Sequence, residues 1–123
     1  MATHATRATD AHERATRTPI AQVARELEAE LGQALVAVIA GVSDRKTVAR
    51  WVRAERRPRR EAEARLRCAH QVWQILRAEE DAATTRSWFA GMNPHLDDEA
   101  PARAIQRGDF RGAIGAARGF GLG

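Results

Sequence analysis

The densest chemistry in the sequence is a run of cations. Between Arg45 and Arg60, eight basic residues (Arg45, Lys46, Arg50, Arg53, Arg56, Arg57, Arg59 and Arg60) face one acid, Glu55. The local balance is +7, whereas the whole chain carries +4, so the remainder stands at −3. A cationic patch on an otherwise acidic chain suits a polyanion such as the phosphates of DNA. Other reactive side chains do not assemble. Cys68 and His70, two apart on a helix, point in different directions and cannot act as a nucleophile and its base. The set His95, Asp97, Asp98 and Glu99 lacks a partner cluster at metal-ligand spacing, and acids just before Pro101 suit the positive end of a helix. There is no glycine-rich phosphate loop and no Gly-x-Ser-x-Gly elbow. The sequence therefore predicts no catalytic site, no metal and no cofactor, and not an enzyme.

The elements that must position the cations are helical. The chain has 123 residues, enough for one domain or two small lobes sharing a core. Aromatics make up only 5%, tyrosine is absent, and alanine and arginine abound, which favours helices over sheets. An all-α fold is expected. A single cysteine, Cys68, excludes an intramolecular disulfide and the cysteine-rich zinc spacings, and reads as a packed or half-buried thiol. The longest apolar run, Ala34 to Val42, is about half of the ~20 residues that a membrane span requires, and the N-terminus lacks a signal peptide's apolar segment. A cytoplasmic protein that does not enter a membrane is expected.

Met1 to Arg17 mixes Ala, Thr, Arg and His and reads as a disordered or loosely helical tail, with a basic arm lying on DNA as the alternative. Thr18 is the expected N-cap of a first helix, with Pro19 at its first position and Ile20, Val23, Ala24, Leu27 and Leu31 on one face. Gly32 ends that pattern. A short helix over Gln33 to Ala40 follows, then a turn at Gly41. A third helix starts from Ser43 as N-cap and runs to about Ala54, with Val48, Trp51 and Val52 facing inward. After Pro58 a long helix, about Arg60 to Ala78, aligns Leu66, Ala69, Trp73 and Leu76. Trp73 packs on the first helix or sits in a dimer seam. Shorter helices are expected over Asp81 to Ala90, Ala100 to Arg107 and Phe110 to Ala117, and the final ARGFGLG reads as flexible.

The segment LVAVIAGVSDRKTVARWVRAERRP, Leu35 to Pro58, has the ordered parts of a helix-turn-helix: an apolar helix, a tight turn, and a second helix with Val and Trp on one side and cations on the other. Its expected DNA-binding residues are Arg45, Lys46, Thr47, Arg50, Arg53, Arg56 and Arg57. Arg45 and Lys46 stand at the helix start, the end that reaches base edges, whereas the later arginines suit phosphates.

This segment resembles the Xre-type helix-turn-helix pattern GVSxxTVxRW, with one residue more between Ser43 and Thr47. From Trp88 to Gly123 the order is Trp, an Asn-Pro loop, Leu, a Pro-started helix ending in Gly, an aromatic-led helix and a glycine-containing tail. That order resembles the toxin-binding domain of the Xre/MbcA/ParS antitoxin family. The likeness runs from about Ile20 to Gly123. It departs from the family in the longer basic tract after Trp51 and in a tail that ends in Gly123.

The resemblance implies an antitoxin that dimerises, binds its own promoter and neutralises a RES-domain toxin that degrades NAD. On that basis residues 18–59 form a DNA-binding domain, 60–78 a linking helix and 79–123 a toxin-binding domain. Trp88, Phe89, Asn93, Pro94 and Leu96 would build the last of these. Toxin contacts would come from Arg111, Arg118, Gly119 and Phe120, with Gly108 and Phe110 as further candidates. The partners expected are a RES-domain toxin, double-stranded operator DNA and a second copy of the chain. The alternative is a stand-alone helix-turn-helix regulator with no toxin. An adaptor without DNA binding is disfavoured by the +7 segment.

Overall fold

The computed structural model describes residues 18–121, so the expected tail over Met1–Arg17, and Leu122 and Gly123, lie outside the described residues. Every regular element among the described residues is helical. In chain order they are α1 (Ile20–Leu31), α2 (Gln33–Ala40), α3 (Arg45–Val52), α4 (Arg60–Arg77), α5 (Ala82–Ala90), a 3-10 turn (Pro94–Leu96), α6 (Pro101–Gln106) and α7 (Phe110–Gly119). The class is all-α, as the composition predicts. No described helix is long and apolar enough to cross a membrane.

Apolar periodicity explains which faces turn inward. Helix α1 buries Ile20, Val23, Ala24, Leu27 and Leu31. Helix α2, apolar nearly all round, buries Val36, Ala37, Ile39 and Ala40. On α4 the expected stripe holds for Leu66, Ala69 and Leu76, while Trp73 is only half-buried. Trp73 packs towards α1: its indole N–H donates to Glu30 at 2.9 Å, and Arg77 reaches the same carboxylate oxygen at 2.8 Å.

One hydrophobic core joins the N-terminal and C-terminal helices, from Ile20 on α1 to Ala117 on α7. Helix α4 lies in the middle, packed against α1, α2, α6 and α7. The halves are also bonded directly, because Gln106 Nε2 on α6 donates to the Val38 carbonyl of α2 at 2.7 Å. Cys68 is buried in this core. Burial and then the charge of Asp109 push its thiol up to about 12.

Several helix ends differ from expectation. The N-cap of α1 is Pro19 and not Thr18, one residue later than expected. Asp44, not Ser43, caps α3. Helix α3 stops at Val52, because the following turn places Ala54 in the left-handed region at φ 59°. The largest difference is at α7, which continues through Arg118 and Gly119. Ala113, Ala116 and Ala117 are buried and dock the last turns. The first part of the expected flexible ARGFGLG tail is thus helix. Gly41 behaves as predicted, closing α2 in the left-handed conformation at φ 79° with its N–H bonded to Ala37 and Val38.

Candidate nucleic-acid interface and the C-terminal groove

Helix α3 is held by its apolar side and leaves its cations outside. Val48 is fully buried and Trp51 nearly so, whereas Val52 is half-buried. Its start is set by Asp44, whose Oδ1 accepts the Lys46 backbone N–H at 2.9 Å. Its end is gripped from α1, where Arg25 Nη1 donates to the Val52 carbonyl at 3.3 Å. Between these fixings Arg45, Lys46 and Arg50 are exposed, and Thr47 is half-buried.

The cations beyond α3 are not equivalent. Arg53 Nε meets Glu55 Oε2 at 2.7 Å, and the Arg53 hydrogen bond holds the Glu55 carboxyl below its ordinary range. Arg57 pairs with Glu63 at 2.9 Å. Arg45, Lys46, Arg50, Arg56, Arg59 and Arg60 have no ion pair among the described residues. The sequence count of +7 therefore overstates the free charge.

The fold brings the later arginines of the basic segment beside the start of α3 around one groove of about 430 Å³, which the carboxylates of Asp44 and Glu61 also line. Ser43, Asp44 and Thr47 from the start of α3 line one part, and Arg56, Arg57 and Arg59 line another. Arg65 joins them from α4, donating to the Ala40 carbonyl at 3.1 Å and so bracing the end of α2. A Cβ at Gly41 would sit 3.0 Å from the Arg65 guanidinium, which would have to give by a few tenths of an ångström to admit it. Neither Arg65 nor Arg25 was marked by the sequence. Both lie outside the basic run, and only the packing of α4 and α1 brings them to α3. Such a surface, cationic, exposed and mounted on a core-locked helix, has the chemistry to hold phosphate oxygens and reach base edges.

The other candidates lie on α7 and its end. Arg111 and Arg118 are exposed without an ion pair among the described residues, Gly119 is half-buried, and Phe120 is 41% exposed. Gly108, at φ 93°, separates α6 from α7, and Phe110 is half-buried. Trp88, Phe89, Asn93 and Leu96 are buried, and Asn93 Oδ1 accepts from the His95 N–H at 2.9 Å, which forms the Asn-Pro turn. Pro94 is exposed. Ala116, Gly119 and Phe120 face Trp88, Met92 and Pro94 across a groove of about 700 Å³.

Among the described residues no three His, Cys, Asp or Glu side chains are gathered as a metal-ligand group. Glu99 is instead engaged by Arg107 at 2.8 Å. Compared with protein-family models, with curated proteins and with solved structures, the chain matches none.

Proposed function

We propose that this protein is a DNA-binding antitoxin: α2 and α3 form a helix-turn-helix that reads an operator, and the C-terminal helices bind and neutralise a RES-domain toxin. The observation that carries the DNA half is the opposition on α3. Val48 and Trp51 anchor one side in the core while Arg45, Lys46 and Arg50 stand exposed on the other. The groove edged by Arg56, Arg57 and Arg59 supports the same reading, since it sets phosphate-binding groups beside the start of that helix.

The toxin half rests on the sequence resemblance and is supported by the exposed Arg111 at the start of α7 and Arg118 and Phe120 at its end. An operator-bound homodimer suits the reading, because paired recognition helices address two half-sites. The protein acts in the cytoplasm in this account, where its operon and the NAD pool are found.

Two measurements test the proposal. Electrophoretic mobility shift with the DNA upstream of the gene should show binding that weakens as salt rises from about 50 to 200 mM. Co-expression with the neighbouring reading frame should restore growth and cellular NAD. No shift at low salt would remove the DNA half. A harmless neighbour would leave a stand-alone regulator.

A further inference from the structure

Helix α7 contains glycines that the protein's own packing does not require. A Cβ at Gly112 would collide with the Asp109 carboxylate, which caps the helix, so that glycine is accounted for. At Gly115 and Gly119 an added Cβ meets no atom of the described residues within 4 Å. Glycine inside a helix weakens it relative to alanine, and here no contact with a described residue offsets the loss. The two lie one turn apart on the same face, and Arg111 and Arg118 flank Gly115.

That face runs into the groove of Trp88, Met92 and Phe120. Met92, 81% exposed, and Phe120 are the large apolar side chains left exposed among the described residues, and both edge this groove. Trp88 is 7% exposed, and its buried indole Nε1 has no acceptor among the described residues. The bare helix backbone thus meets the two apolar edges at Gly119.

We infer that this face receives an acidic, amphipathic helical segment of a partner protein. Its backbone crosses α7 at Gly115 and Gly119, an apolar side chain enters the groove between Met92 and Phe120, and carboxylates meet Arg111 and Arg118. Charge selects the occupant: Arg111 and Arg118 repel their counterparts in a second copy and attract carboxylates. Helix-in-groove recognition places the bound segment's apolar anchors at three- and four-residue steps. The inference rests on reading the C-terminal half as protein-binding, and it adds the chemistry of what is bound.

The test uses the full chain and phage-displayed random peptides of about 16 residues, roughly four helical turns. Selected peptides should combine acidic residues with apolar ones at helical spacing. Gly115→Leu, Met92→Glu and Arg118→Glu should each weaken their binding at least about tenfold, while Arg56→Ala should not change it. All these sites are exposed, and retained helicity and melting temperature would show that the variants fold. Absence of enriched peptides, or enriched peptides blind to the three substitutions, would overturn the inference. So would sedimentation showing a dimer that Gly115→Leu dissociates, which would assign the face to a second copy, or loss of DNA binding in that variant. The selection needs no toxin, so its failure is distinct from failure of the co-expression assay.

Discussion

Asp44 Oδ1 accepts the backbone N–H of Lys46 at 2.9 Å, and this bond fixes where the basic helix α3 begins. Ser43, an equally good capping type one residue earlier, is not the cap. Asp44→Ala should therefore destabilise the protein by about 1 kcal/mol, the usual value of an N-cap, and lower DNA affinity by loosening Arg45 and Lys46. Ser43→Ala should change melting temperature little. Equal effects of the two substitutions in thermal denaturation would place the helix start elsewhere.

The pairing of Arg57 with Glu63, and the lack of a pair at Arg56, rank two adjacent arginines. Arg56→Ala should reduce DNA affinity more than Arg57→Ala, for all sequences alike, and flatten the salt dependence by about 0.9 log units per lost phosphate contact. Arg45→Ala or Lys46→Ala should instead relax preference at particular bases, by about 1 to 3 kcal/mol for a bidentate contact. Fluorescence-anisotropy titrations over a salt series, with operator and scrambled duplexes, separate these outcomes.

Burial first, and the charge of Asp109 second, push the Cys68 thiol up to about 12 from its ordinary 9.0. The native state therefore holds this proton where the unfolded chain would release it. Stability from Cys68 is full below pH 9.0 and is lost as pH rises towards 12. Thiol reagents at pH about 8 should leave native protein unmodified and label it after denaturation. Rapid labelling of the folded protein would contradict the burial of Cys68. Cys68→Ser should remove the thiol's part of the alkaline loss.

Gly115 lies inside α7 with open space where a side chain would begin. Gly115→Ala should stabilise the free protein by about 1 kcal/mol, which for a chain of this size raises the melting temperature by roughly 4 °C or more. A fall in melting temperature would mean that the helix uses this glycine internally.

The helical class and the buried faces were legible because they depend on local spacing. Ile20, Val23, Leu27 and Leu31 recur at helical steps, and all are buried. Gly41, the Asn93-Pro94 turn and Gly108 were legible because each needs a backbone geometry that few residues adopt. The exact start of α3 was not. Ser43 and Asp44 are both good capping types, and the choice follows from Asp44 taking extended backbone angles at the end of the turn. The end of α7 was misread because glycine spacing argues for a frayed tail. Burial of Ala116 and Ala117 supplies the packing that local propensity lacks.

In the candidate interface the division falls between residue type and residue pairing. The sequence alone determined that a cationic segment follows an apolar helix and a glycine turn, since these are facts of order and composition. Which cations remain free was decided by tertiary structure. Glu63 reaches back from α4 to Arg57, while Arg65 on α4 joins the groove from outside the basic run. Arg25, on α1, takes the last carbonyl of α3. Ion pairs and cap bonds act over a few ångströms, and the partners involved here are up to 27 positions apart in sequence. No local pattern encodes such a meeting; it exists only once α1 has packed against α3 and α4 against α2.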